Sequence, residues 1–282
     1  MYGPVIRRIV LPSGEKIPVL GQGTWHLAEV REQREAEIAA LRLGLELGMT
    51  LIDTAEMYAE GETERLVGDA IGGRRDQVFL ISKVLPSHAS HQGTIDACTA
   101  SLRRLKTDRL DMYLLHWRGS VPLRQTIEAF VELKERGWIR HWGVSNFDVM
   151  DLIELWRIPS GPDAQTDQVL YNLAHRSPEY NLLPWCREQD LPVMSYSPMD
   201  QGDLLSHPAV RGVAERNDIT PAQVALAWVL RQPLVCAIPK SGSAARVQQN
   251  AAAAAIRLSP EDLTELDLAF PPPIKARPLE TL

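Results

Sequence analysis

Short runs of aliphatic and β-branched residues recur along the chain at Thr50–Ile52, Val78–Ser82, Leu110–Leu115, Trp142–Val144, Thr166–Val169, Val193–Tyr196 and Val235–Ile238. Between them, stretches such as Arg31–Leu47, Thr94–Leu105, Leu123–Arg136 and Pro221–Arg231 repeat their apolar residues at helical spacing, so each can bury one face. Strand alternating with helix implies a parallel sheet. Ahead of this pattern, Ile6–Leu11 and Lys16–Leu20 flank the turn residues Pro12, Ser13 and Gly14 and read as an antiparallel hairpin.

Small or polar residues close each strand candidate: Gly23, Asp53, Lys83, His116, Ser145, Gln168, Tyr196 and Lys240. The seven steps between them cover 217 residues, a mean of 31, which is about one βα unit of ~30 residues. Eight such ends predict an α/β fold of the (β/α)8 TIM barrel type, with the N-terminal hairpin closing its bottom and the active site at its top face. An open doubly wound sheet would announce itself by GxGxxG after an early strand; here Gly21-Gln22-Gly23 runs into Thr24-Trp25-His26, and the third glycine is missing. No linker-like stretch or shift of composition divides the chain, so residues 1–282 read as a single domain.

Composition narrows the partners. The 30 basic and 36 acidic side chains give a net charge of −6, against the cationic excess of a nucleic-acid or anionic-membrane binder. Cys98, Cys186 and Cys236 are widely spaced and form no CxxC pair, which argues against disulfides and structural zinc and for a reducing, cytoplasmic setting. No apolar run approaches the ~18 residues of a membrane span. A monomer meeting only a small-molecule substrate is expected.

Candidate chemistry sits at the strand ends. Asp53 and Lys83 each terminate an apolar run, where a lone charge is costly, so each needs a partner. Alone they could be a structural pair. Tyr58, five residues beyond Asp53, changes the picture: a cationic Lys83 in reach would favour phenolate and lower the phenol's pKa from about 10. His116 follows a strand buried enough to keep its imidazole neutral, suited to orienting a substrate oxygen. No metal is expected: His88 and His91 have HxxH spacing but no acid close by in sequence, and Lys83 would repel a cation. Near the end, Ile238-Pro239-Lys240-Ser241-Gly242 leads into a helix carrying Arg246 and, four residues on, Asn250. A lysine, a hydroxyl and an arginine at a helix amino terminus suit a phosphate, and an amide on the same face suits an adenine edge.

These segments resemble the aldo-keto reductase family over nearly the whole chain. The resemblance rests on Leu51-Ile52-Asp53-Thr54-Ala55-Glu56-Met57-Tyr58 with Glu64 and Gly68, on Leu110 to Trp117, on Gly143-Val144-Ser145-Asn146-Phe147, and on Ile238 to Gly242 with Arg246 and Asn250. It implies a reductase that passes hydride from NADPH to a carbonyl. Tyr58 would be the general acid, Lys83 and Asp53 its tuning pair, and His116 the group that positions the carbonyl. Ser145, Asn146 and Gln168 would hold the nicotinamide carboxamide, Tyr196 would stack on its ring, and Ser197 and Met199 would line the pyrophosphate. Lys240, Ser241 and Arg246 would grip the 2′-phosphate, Gln249 and Asn250 the adenine, and Gly23 and Thr24 complete the cofactor set. Trp25 and Trp117 would wall the substrate pocket, with Leu85 where many relatives carry tryptophan. The short tail after Pro273 implies an open, permissive pocket, and Gly21-Gln22-Gly23-Thr24-Trp25, Asp53 to Tyr58 and Leu183-Pro184-Trp185-Cys186 look most like bacterial reductases of the methylglyoxal- and 2,5-diketo-D-gluconate-reductase types, which implies small carbonyls such as methylglyoxal. The alternatives are a nonenzymatic NADPH-binding regulatory subunit on the same fold and, less well supported by the ligand inventory, a metal-dependent barrel hydrolase.

Overall fold

A computed structural model describes residues 5–282. Every apolar run named above forms a strand. After the hairpin strands β1 (Arg8–Val10) and β2 (Lys16–Pro18) come β3 (Gln22–Gly23), β4 (Leu51–Asp53), β5 (Phe79–Val84), β6 (Leu110–Leu115), β7 (Ile139–Ser145), β8 (Asp167–Leu170), β9 (Val193–Tyr196) and β10 (Val235–Ala237). β3 to β10 pair in sequence order, each parallel to the next. Gly21 N–H donates to the Ala237 carbonyl at 2.9 Å and Gly23 N–H to that of Pro239 at 3.1 Å, closing first strand onto last. Closure requires glycine here, because a Cβ on Gly23 would lie 2.5 Å from the Ile238 carbonyl oxygen. The chain is therefore a (β/α)8 barrel, as the spacing of strand ends predicts.

The helices are α1 (Arg34–Glu46), α2 (Glu62–Ile71), α3 (His91–Leu105), α4 (Leu123–Glu135), α5 (Val149–Trp156), α6 (Leu182–Glu188), α7 (Pro208–Arg216), α8 (Pro221–Leu230), α9 (Ala244–Ala253) and α10 (Pro260–Ala269). Capping decides where several begin. Asp148 with Asp151, Thr220 with Gln223, and Ser259 with Asp262 form reciprocal capping boxes for α5, α8 and α10, the last two with proline in the first turn. Ser90 accepts from Gly93 N–H and starts α3 three residues before the predicted Thr94. Arg31–Gln33 is a 3₁₀ turn, so α1 starts later than its apolar pattern does. The uneven strand-end steps also have a cause: α5 is only 8 residues long, and α7 is an extra helix between β9 and α8.

The hairpin lies across the amino ends of the strands. Arg7 donates to the Pro233 carbonyl at 3.1 Å, Ser13 N–H to Gln165 at 2.8 Å, and Glu15 accepts from Arg140 at 2.8 Å and meets His141 Nε2 at 2.7 Å. All four partners precede or open a barrel strand. Asp111 accepts from Leu80 N–H and pairs with Arg75 and Arg140, a structural role at the start of β6.

Among the described residues Asp167 has no counterion. One carboxyl oxygen accepts from Phe147 N–H at 3.4 Å, and the other, fully buried, has no partner among the described residues. Burial first, then the nearby Asp151 and Asp148, push its pKa well above the usual carboxyl range, against the Phe147 hydrogen bond. A raised folded-state pKa makes its contribution greatest below the unfolded value of about 3.9 and erodes it as pH rises. Asp167→Asn, neutral at every pH, should thus gain stability relative to wild type as the pH rises from 4 to 7. Urea midpoints at the two pH values check this; equal shifts at both would contradict it.

Candidate active site

Asp53 ends β4 and Lys83 lies near the end of β5, so neighbouring parallel strands bring the two charges together inside the barrel mouth. Lys83 Nζ is 2.6 Å from Asp53 Oδ2, 2.9 Å from the Thr54 carbonyl and 3.2 Å from the Tyr58 hydroxyl. Lys83 is fully buried and Asp53 almost so. The second Asp53 oxygen accepts from Gln168 Nε2 at 2.8 Å. Beside them, the Tyr58 and His116 rings meet edge to face with centroids 5.8 Å apart.

Burial opposes the charge on Lys83, but Asp53 and the Tyr58 oxygen more than offset it, and its pKa is raised. Lys83 is an ammonium. For Tyr58, burial is the largest influence; it outweighs the pull of Lys83 and raises the phenol's pKa, with Asp53 adding to the rise. This corrects the sequence-based expectation of a lowered value. Strand-end spacing shows the neighbouring charge, whereas desolvation depends on the whole barrel mouth. The result is a phenol that stays protonated at neutral pH, the form a proton donor needs. Burial, then Lys83, hold the His116 pKa well below the ordinary imidazole value, so that ring is neutral. Its Nδ1 is buried with no protein partner among the described residues.

A cavity of about 660 Å³ opens above this floor, within the size range of cofactor and substrate sites. It runs from Trp25, Met57 and Trp117 past Tyr58 and His116 to Lys240, Arg246 and Asn250. At its centre Ser145 donates to the Gln168 carbonyl at 2.8 Å, and Asn146 Nδ2 donates to the His116 carbonyl at 3.1 Å. Tyr196, held protonated by burial with a pKa of about 12, donates to Asn146 Oδ1 at 3.0 Å. Asn146 and Ser197 follow directly on β7 and β9 and have φ of 59° and 45°, a left-handed conformation whose strain often marks a functional turn. At the far end α9 begins without a side-chain cap. Its free N–H groups, with Lys240 and Arg246, which pair with no carboxylate among the described residues, fit a phosphate-bearing ligand.

The chain matches the aldo/keto reductase family over residues 19–269. It is an aldo-keto reductase. It is 50% identical to the methylglyoxal reductase YeaE of Escherichia coli over 95% of this chain and 96% of that protein. With the glyoxal reductase of Bacillus subtilis identity is 32%, over 92% and 91% of the two chains. The solved structure of an aldo/keto reductase from Klebsiella pneumoniae in complex with NADP and acetate superposes with a TM-score of 0.96. Identity with it is 49%, and the match covers 99% of this chain and 100% of that one.

Of the site residues singled out in the sequence, all but Lys83 and Leu85 line the reductase's cavity. Lys83 lies beneath it, reaching Tyr58 from below. Leu85 does not line it: it is half-buried, and its N–H donates to Glu56 at 2.7 Å. The same Glu56 oxygen lies 3.0 Å from His88, and His91 pairs with Glu132, so the HxxH histidines face different carboxylates that are remote in sequence. Sequence reasoning missed other wall residues. His26, stacked on Trp25 at 4.2 Å, and the turn Gln201–Gly202 both line the cavity, as does Leu282. The expectation that the short tail leaves the pocket open is modified accordingly: the tail reaches the mouth and contributes a wall. These positions carry neither helical nor strand periodicity and lie outside the motifs that carry the resemblance.

Proposed function

We infer that the protein reduces small aldehydes and ketones, including 2-oxoaldehydes such as methylglyoxal, to alcohols at the expense of NADPH. The single observation that carries this is the buried Asp53–Lys83–Tyr58 array opening into a cavity whose far end holds unpaired cations. The similarity to reductases named for methylglyoxal and glyoxal supports the substrate class.

Bound NADPH supplies the hydride that adds to the carbonyl carbon. Tyr58 and His116 hydrogen-bond the carbonyl oxygen and stabilise the charge that develops there, and the Tyr58 proton passes to it, giving the alcohol. The phenolate left behind faces the Lys83 ammonium at 3.2 Å and is reprotonated from water in the cavity. Ser145, Asn146, Gln168 and Tyr196 hold the nicotinamide end, Ser197 and Met199 the pyrophosphate, Lys240, Ser241 and Arg246 the 2′-phosphate, and Gln249 and Asn250 the adenine. Trp25 and Trp117 wall the substrate space. Among the described residues no lysine or arginine lines the cavity around Trp25, Tyr58, His116 and Trp117, which suits uncharged carbonyls. One core of buried apolar residues running from Ile9 to Leu266 supports a single domain, and three free, buried cysteines suit a reducing cytoplasm.

The test mixes purified protein, NADPH and a panel of aldehydes including methylglyoxal and follows NADPH absorbance. Turnover unaffected by chelator is expected; absence of turnover across the panel would leave the nonenzymatic NADPH-binding reading. Cofactor choice has its own check. Arg246→Ala should weaken NADPH by about 10-fold or more while hardly changing NADH, since only the former offers a phosphate dianion to the guanidinium. Fluorescence titration measures both, and equal losses would contradict the assignment.

A further inference from the structure

Between β3 and the 3₁₀ turn at Arg31–Gln33 the chain forms neither helix nor strand, yet it supplies Trp25 and His26 to the cavity wall. Its backbone is strained: His26 and Ala28 have φ of 63° and 66°, a left-handed conformation that a residue with a side chain keeps only where its surroundings impose it. Two side chains from the outer helices impose it here. Glu37, in the first turn of α1, accepts from Ala28 N–H at 2.9 Å, and Thr63, at the start of α2, donates to the Leu27 carbonyl at 2.8 Å. Leu27 N–H donates to the Thr24 carbonyl at 3.0 Å, closing the turn that carries the two rings. Both holders are buried and neither lines the cavity. Glu37 is 3% exposed whereas Glu35, in the same helical turn, faces water, and among the described residues Glu37 pairs with no cation. A carboxyl group out of water is costly unless it is hydrogen-bonded, and the Ala28 N–H is what meets this one.

We propose that Glu37 and Thr63 are positioning residues for carbonyl reduction: from outside the cavity they hold the Trp25–His26 wall in place, and so set the affinity for carbonyls whose substituent lies against the Trp25 ring. The proposal rests on the reading of the protein as a carbonyl reductase and adds two residues that touch neither substrate nor cofactor. An aromatic substituent offers a face to the indole and gains binding beyond its buried area; the methyl group of methylglyoxal offers almost none. A contact made alike before and during hydride transfer shows in KM and leaves kcat alone. Loosening the wall therefore penalises aromatic aldehydes and spares methylglyoxal.

Two variants loosen it from different helices, so one that fails to fold leaves the other to decide. Glu37→Met removes the acceptor but keeps the stem, whose Cγ would lie 3.0 Å from a Cβ on Gly242, so the packing beside the phosphate end persists. Thr63→Val removes the donor at nearly constant shape. Hydrogen exchange, which needs no turnover, should quicken at least about 10-fold across residues 25–28 in either variant, and Glu37→Gln, whose amide oxygen still accepts, should restore it. In steady-state assays at saturating NADPH, KM for benzaldehyde should rise about 10-fold, with kcat within about 2-fold and KM for methylglyoxal within a few-fold of wild type. In a Trp25→Ala background Glu37→Met should add nothing further to the benzaldehyde KM. Unchanged exchange overturns the proposal, as does a benzaldehyde KM that stays put or rises no more than that of methylglyoxal, or a Glu37→Met effect undiminished without the indole. A wild type that reduces neither carbonyl sinks the functional reading instead, and the exchange arm still decides whether the two side chains hold the wall.

Discussion

Tyr58→Phe should lower the rate of carbonyl reduction by about 1,000-fold or more while leaving NADPH affinity within a few-fold of wild type. The substitution removes one oxygen and keeps the ring, so the edge-to-face contact with His116 persists. Lys83 keeps Asp53 and the Thr54 carbonyl as partners, and no buried charge is orphaned. The loss falls on the reaction itself: the alkoxide forms without its proton donor and with one hydrogen bond fewer, together about 4 kcal/mol of barrier for a 1,000-fold effect. Single-turnover absorbance of NADPH separates this from binding. A variant with an unchanged single-turnover rate and only a higher KM would show that the phenol binds substrate and does not protonate product.

The parts of this site that are legible in the sequence are those where one residue contradicts its neighbours. Asp53 and Lys83 stand out because each is a charge closing an apolar run, and a barrel converts such ends into one rim. β6 and β9 were legible to the residue because Arg109 and His116 bound the first and Pro192 and Ser197 the second, whereas β3, only Gln22–Gly23, carries no apolar signal and was placed by the spacing of the other strands. What pattern alone conceals is whatever depends on several segments at once. The direction of the Tyr58 shift needs the burial of the assembled mouth, and the position of Leu85 depends on a carboxylate, Glu56, from the preceding loop. The orientation of the Gln168 amide depends on Asp53, 115 positions away. Leu282 reaches the cavity along a tail whose course no periodicity marks.

Lys83→Met should be the most damaging single change to stability. Removing the ammonium leaves the Asp53 carboxylate, 2% exposed, with Gln168 as its remaining partner, and breaking one side of a buried pair typically costs about 3–5 kcal/mol. In a chain of this size that lowers the melting temperature by on the order of 10 °C. Protonating the stranded carboxyl relieves the penalty, so the deficit relative to wild type should narrow as the pH falls. Adding Asp53→Asn removes the charge that needs a partner, and the double variant should recover most of the lost stability because the two sites are in direct contact and non-additive. Activity should not return with it, since the Tyr58 phenolate formed after proton transfer still lacks an ammonium at 3.2 Å. Thermal melts of the two single variants and the double, set beside single-turnover rates, close this cycle. A double variant as unstable as Lys83→Met alone would mean that the lysine stabilises the barrel through packing of its stem, and the ion pair would lose its place in the argument.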